Sequence, residues 1–184
     1  MTTKLFSAII AFTATFFFAS GLVWLINGSL RPQNSHVGHR AHACFTHPHS
    51  DTAHRIESFL RRDIENGIER NSRLDSIDRG LRLPFTKISL SKTTEAVNAY
   101  VSMSSSMDQG DLPWEFQQAW DKHMSAWRSE AVFLKKLSNS KMSEIDADEV
   151  KENLTQSSRE IKETWEDLLF IAEQNGAHRP GTHR

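Results

Sequence analysis

The sequence predicts an all-α protein: a single N-terminal transmembrane helix followed by an antiparallel bundle of about four helices. Three observations predict it. Leu5 to Ile26 is an apolar run without a charge, a His or a Pro. Glycine and proline number only 8 and 5 in 184 residues, which disfavours a turn-rich β fold. Beyond residue 50, apolar residues recur at steps of three and four, the period of an amphipathic helix.

The Leu5–Ile26 run would be about 33 Å long as a helix, enough for a hydrocarbon core of about 30 Å. A cleaved signal peptide usually has an apolar region of only about 7–15 residues before a small-residue cleavage site. Ala19-Ser20-Gly21 offers such small residues, but Leu22 to Ile26 carries the apolar run past them, so a retained anchor is expected. Trp24 suits the interface, and Lys4 and Arg31 bracket the span. Lys4 set against Arg31 and Arg40 nearly cancels the positive-inside signal. The short tail 1–4 favours a cytoplasmic N-terminus and a C-terminal domain on the non-cytoplasmic side of this single-pass protein. Ser7, Ala11, Thr15 and Ala19 repeat every four residues, a small-residue stripe of the kind that lets membrane helices pack closely.

Residues 27–50 form a connector in which Gly28, Pro32, Gly38 and Pro48 interrupt helix formation. Around its lone Cys44 cluster His36, His39, His42, His47, His49 and, just beyond, His54. Imidazole and thiolate are ligands for Zn, Cu or Ni. The spacing fits no standard finger or ribbon pattern, and a solvated tether or a pH-dependent contact with an anionic membrane surface would have the same composition. A single cysteine precludes an intrachain disulfide.

Residues 51–174 are expected to form the bundle. A first helix, capped by Asp51 or Thr52, runs to about Leu83, with Ile56, Leu60, Ile64, Ile68, Leu74, Ile77 and Leu81 at helical spacing and Asn71 in the seam. Its arginines, Arg70 among them, alternate with acids that include Asp63, the pattern of a solvated face with local ion pairs. Phe85 to Leu90 suggests an extended linker, after which Ser91 or Thr93 caps a short helix to about Met107, weakened at its end by Ser104-Ser105-Ser106. Asp111 and Pro113 then signal a third start. Phe116, Trp120, Met124, Trp127, Ala131 and Leu134 make one coiled-coil-like stripe, with Trp114 nearby and His123 beside it. Such a stripe is expected to be core, while Trp114, Trp120 and Trp127 are also the candidate partner-binding residues. The last helix runs from about Ser143 to Gln174, with Asp146 or Ser143 in a capping box, Val150, Leu154, Ile161, Trp165, Leu168, Leu169 and Ala172 inward, and Gly176 at its end. Residues 175–184 are expected to be a disordered tail.

A net charge of −1 and interleaved signs speak against a nucleic-acid partner. No Gly-rich phosphate loop, H-E-x-x-H, C-x-x-C or EF-hand loop is present, so no catalytic residue and no resident cofactor are predicted. The expected function is a non-enzymatic, membrane-anchored helical interaction domain with a protein partner or a second copy of itself. The alternative is a metal-binding or metal-sensing membrane protein using the His-rich segment.

Overall fold

The computed structural model describes residues 51–81 and 87–180. The anchor, its Ser7–Ala11–Thr15–Ala19 stripe and the connector lie outside the described residues. No helix among the described residues is long and apolar enough to cross a membrane. Those residues are all-helical and contain no strand: α1 (Asp51–Leu81), α2 (Lys87–Ser105), α3 (Trp114–Asn139) and α4 (Ala147–Gln174), with a short 3-10 turn at Met142–Glu144. Successive helices run antiparallel. Asp63 of α1 meets Tyr100 and Ser104 of α2, Thr94 of α2 meets the Leu134 carbonyl of α3, and His123 and Glu130 of α3 meet Thr164 and Ser157 of α4.

The helix boundaries depart from the sequence expectation where tertiary burial or capping chemistry overrides it. α2 begins at Lys87, so Lys87–Leu90 is helical and not linker. Leu90, Thr94 and Val97 fall at i, i+4 and i+7 and are all buried, which draws the first turn into the core. Within that turn the Thr94 hydroxyl donates to the Leu90 carbonyl at 2.8 Å. Asp111 is not the cap of α3: Pro113 occupies that position, and Asp111 sits exposed with an oxygen 3.3 Å from Arg55 of α1. Of the two capping options for α4, Asp146 is the one used. Its carboxylate accepts from the Asp148 and Glu149 amides at 2.9 and 3.4 Å, satisfying two donors that a helix start leaves open.

The end of α4 is a Schellman motif. The Ala177 amide donates back to the Ala172 carbonyl and the Gly176 amide to that of Glu173, both at 3.0 Å. Gly176 adopts φ +83°, the left-handed conformation that favours glycine there. The tail is therefore not disordered from residue 175. Ala177 is buried in the core, the His178 amide donates to Glu57 at 2.8 Å, and Arg179 pairs with Glu166 and Glu173.

The core has two lobes. One draws on all four helices: Ile56, Phe59 and Leu60 of α1, Tyr100 of α2, Phe116, Trp120 and Met124 of α3, and Leu168 and Leu169 of α4. The other holds Leu90, Val97, Ala131, Leu134, Leu137, Val150 and Leu154, from α2, α3 and α4 among the described residues. Val101 and Trp127 pack against both lobes. The aromatic stripe of α3 is the spine of this core. Phe59 meets Phe116 and Trp120 edge-on at centroid distances of 5.7 and 4.8 Å. The Trp120 indole N–H is sealed without a partner, the one such side-chain atom among the described residues. Leaving it unpaired costs about 1–3 kcal/mol. Burying the ring is worth about 5 kcal/mol, so apolar burial wins at this position.

α1 and α4 are joined less closely than the sequential pairs α1–α2, α2–α3 and α3–α4. They meet at the end where Ala53 lies 3.8 Å from the position a Gly176 Cβ would take. Farther along α1, a Cβ placed on Gly67 would find nothing within 4 Å.

Candidate functional site

Between the two lobes lies a layer of polar side chains, buried on α1, α2 and α3 and met by half-buried hydroxyls of α4. Asp63, Ser104, His123 and Glu130 are all buried, at 4, 0, 2 and 3% exposure. Asp63 is its anchor on α1. Its carboxylate accepts from Tyr100 Oη at 3.0 and 3.2 Å and from Ser104 Oγ at 2.6 Å. Asn66, one turn on, donates to the same Ser104 oxygen at 3.1 Å. Tyr100 and Ser104 are one turn apart on α2, so both hydroxyls reach one carboxylate.

Arg70 completes the layer from α1. The residue is half-buried as a whole, but its guanidinium lies inside, over the rings of Tyr100 and Trp127 at 4.9 and 4.4 Å from their centroids. Cation–π attraction of this kind is worth about 2 kcal/mol when desolvated. Its Nε and one terminal nitrogen both donate to Asn71 Oδ1, at 3.2 and 3.0 Å. Asn71, expected in the seam, thus holds the guanidinium in place. Burial pushes Arg70 below its ordinary value, opposed by Tyr100, Glu130 and Asp63. It remains a cation.

On the far side, Glu130 Oε2 accepts from Ser157 Oγ of α4 at 3.1 Å. Burial raises the carboxyls of both Asp63 and Glu130. Ser104, Tyr100 and then Arg70 oppose this at Asp63, as Ser157 and then Arg70 do at Glu130. Tyr100 is raised well above its usual value, first by burial and then by the Asp63 charge.

His123 is held at both ring nitrogens. Trp127 Nε1, which can only donate, lies 3.2 Å from Nε2, so Nε2 is the acceptor and the proton sits on Nδ1. Nδ1 then donates to Thr164 Oγ1 at 3.0 Å, while that hydroxyl donates to the Glu160 carbonyl at 2.8 Å. Burial, reinforced by the Arg70 charge, holds the imidazole down at about 4, against an ordinary 6.5. It is a neutral ring near neutral pH, packed by Trp165 at 5.3 Å between centroids.

The residues predicted from sequence are dispersed. Of the three candidate partner-binding indoles, Trp120 is fully buried, Trp127 is half-buried beneath Arg70, and Trp114 alone stands out, at 65% exposure. They share no surface, because Trp120 and Trp127 follow the inward stripe while Trp114 precedes it by a half-turn. Of the candidate metal ligands, His54 lies exposed in the first turn of α1 with Nδ1 3.7 Å from Glu57. His36, His39, His42, Cys44, His47 and His49 lie outside the described residues. Among the described residues no group of three or more His, Cys, Asp or Glu is placed to hold a metal.

The layer itself was hidden by charge alternation. Asp63 and Arg70 belong to the series expected on a solvated face, and the structure corrects that reading. Steps of four overshoot the helical repeat by about 40° each, so Ile68 has turned about 120° from Ile56 and is exposed. By the same rule Asp63 lies only about 20° and Arg70 about 40° from Ile56, with Leu74 directly in line. A helical projection thus places two charges on the buried face, and puts Ser104 one turn beyond inward Tyr100.

The fold and this layer define an antiparallel helical bundle with a mixed-charge interior. No protein-family model matches the chain, and no curated protein or solved structure matches it either.

Proposed function

We propose that the chain is a non-enzymatic helical interaction domain, held at a membrane by Leu5–Ile26 with its C-terminal domain on the non-cytoplasmic side. In this reading it binds a protein partner or a second copy of itself, and no nucleic acid. The observation that supports it most is where the large apolar side chains lie. Ile68, Trp114, Val132 and Phe170 are displayed at 54–69% exposure on α1, α3 and α4. The polar groups with chemical potential are instead turned inward and bonded to one another. His123 has both nitrogens engaged, and Asp63 is committed to two hydroxyls. A general base must come within reach of substrate, and both of these are buried in the interior.

Two experiments test the proposal. Alkaline extraction and protease protection of the full chain in membranes should leave it membrane-bound with the bundle on the non-cytoplasmic face. Residues 51–184 alone should be soluble and helical, and a photoreactive side chain at position 114 should crosslink to one discrete partner or to a second copy. A polypeptide that is unfolded until metal is added would overturn this reading.

The density of imidazoles around Cys44 favours a second reading, a metal-binding or metal-sensing membrane protein using Zn, Cu or Ni. Calorimetry on residues 27–184 with each metal decides it. Submicromolar binding that is lost when the six clustered histidines become alanine is the expected result, and no such binding in the parent would sink it.

A further inference from the structure

Trp127 is shared by two basic side chains. Its ring face carries the Arg70 guanidinium, 4.4 Å from the ring centre, and its N–H bonds to His123 Nε2 at 3.2 Å. We propose that His123, Trp127 and Arg70 form an acid-operated latch: a proton taken up at His123 Nε2 breaks the Trp127 bond and expels the Arg70 guanidinium to solvent, uncovering the Trp127 and Tyr100 rings while both lobes stay packed. This inference is independent of the partner-binding reading.

The tautomer sets the trigger. His123 Nδ1 already directs its proton to Thr164 Oγ1 at 3.0 Å. Nε2 is the ring nitrogen left to take another, and its lone pair is the acceptor of the Trp127 bond. Once protonated there, the ring turns an N–H toward the indole N–H. Two donors then face each other, so the indole turns away. The ring that turns is the platform of Arg70. The imidazole centre lies 6.4 Å from the centre of that same ring, so the new charge also sits close to the guanidinium. Arg70 has a way out. It is half-buried, as is Asn71, whose Oδ1 accepts two of its N–H groups, and Ser72 and Arg73 beyond them are exposed.

The surrounding charges push in the same direction. Arg70 is faced by Asp63 on its own helix, Tyr100 on α2 and Glu130 on α3. The charge that acts on His123 is that of Arg70, while α4 brings the Ile161 carbonyl, the Thr164 hydroxyl and the Trp165 ring, none of them charged. Burial raises Glu130 above its ordinary 4.5, and His123 is held down at about 4, so Glu130 is neutral before His123 charges. Burial raises Asp63 as well, and Tyr100 stays neutral throughout. Acid therefore weakens the partners of Arg70 and then adds a like charge beside it. Burial and the Arg70 charge are what hold His123 down, and both are relieved when the guanidinium leaves and water follows. Proton uptake and Arg70 release thus favour each other. Apart from Tyr100, the buried side chains of both lobes carry no titratable group, which keeps the change local.

The full chain, labelled with nitrogen-15 in detergent micelles, can be titrated from about pH 7 to about pH 3. The readouts are the indole N–H resonances of Trp127 and Trp120, the Arg70 Nε–H resonance, the His123 ring nitrogens and the helical circular dichroism. Trp127 and Arg70 should move together with the His123 midpoint near pH 4, while Trp120 and the helical signal hold. His123→Gln keeps an acceptor for Trp127 and a donor for Thr164 but gains no proton, so Arg70 and Trp127 should stay in place throughout. Arg70→Met removes the charge and should raise the His123 midpoint by about half a pH unit or more, about threefold in proton affinity, and Arg70→Lys should return it toward the parent value. The proposal is overturned by a His123 that does not titrate in this range or titrates without moving Arg70, by an Arg70 that moves as before in His123→Gln, or by an unchanged midpoint in Arg70→Met. Loss of the Trp120 signal and the helical signal at the same midpoint also overturns it, since that marks unfolding of the whole bundle and not a latch.

Discussion

Replacing His123 by glutamine gives the sharpest test of the buried layer, because one side chain then controls a pH dependence of known sign. The imidazole titrates at about 4 in the folded chain against 6.5 for a free one. An unfolded chain therefore binds a proton at His123 before the folded chain does. The stability this neutral ring contributes is fully present above about pH 6.5 and is lost as pH falls toward 4. At about 1.4 kcal/mol per pKa unit, the loss is on the order of 3 kcal/mol. Asp63 and Glu130 act in the opposite direction. Their folded values are raised, so their contribution is present at acidic pH and is lost as pH rises through those folded values. The profile of the parent alone mixes the two signs. The difference between parent and His123→Gln separates them, since the carboxylates are common to both and glutamine cannot protonate. Urea unfolding of residues 51–184, followed by tryptophan fluorescence at several values between about pH 4 and 7.5, supplies that difference. Near neutrality the parent should be the more stable, through the Trp127 and Thr164 hydrogen bonds. The gap should shrink by on the order of 3 kcal/mol toward pH 4. A gap that stays constant over this range would refute a buried neutral His123.

Other substitutions probe the remaining parts. Asp63→Ala leaves the Tyr100 and Ser104 hydroxyls facing an apolar gap and should cost about 2–4 kcal/mol in urea unfolding, whereas Asp63→Asn keeps an acceptor for them and should cost about 1 kcal/mol at pH 7. Trp120→Ala should cost about 3–5 kcal/mol by the same measurement. Trp114→Ala should change stability by less than about 0.5 kcal/mol yet reduce crosslinking to the partner. Gly176→Ala forces a methyl-bearing residue to φ +83° and should lower stability by about 1–2 kcal/mol, with Asp146→Ala costing about 1 kcal/mol through its lost cap.

Much of this fold is legible in periodicity and end signals. The Phe116–Leu134 stripe is the core spine, Val150 and Leu154 bury as their spacing implies, and Asp146 and Gly176 end α4 as a cap and a Schellman glycine. What periodicity misses is set by contacts distant in sequence. Lys87–Leu90 looks extended because its residues alternate, and only the lobe that receives Leu90 makes it helical. Asn175 to Pro180 looks frayed because it is polar, and only the proximity of Glu57, Glu166 and Glu173 ties it down. The site was less legible than the fold for the same reason. A charge on a helix is ordinarily solvated, and nothing local to Asp63 or Arg70 announces that hydroxyls and rings from α2 and α3 will replace the water. Trp114, Trp120 and Trp127 resemble one another as indoles, and only their angular positions separate a displayed ring from a buried one.

The pairing of Ala53 with Gly176 has a mechanical consequence. The first turn of α1 and the end of α4 lie side by side, so tension applied to those two helix ends pulls α1 and α4 straight apart at that contact. The load falls on a pair of helices joined less closely than the sequential pairs and parts its contacts in sequence instead of shearing them together. The α1–α4 contact is therefore where the bundle would open first, while α1 stays bonded to α2 through Asp63 and α2, α3 and α4 stay held by the lobe they share.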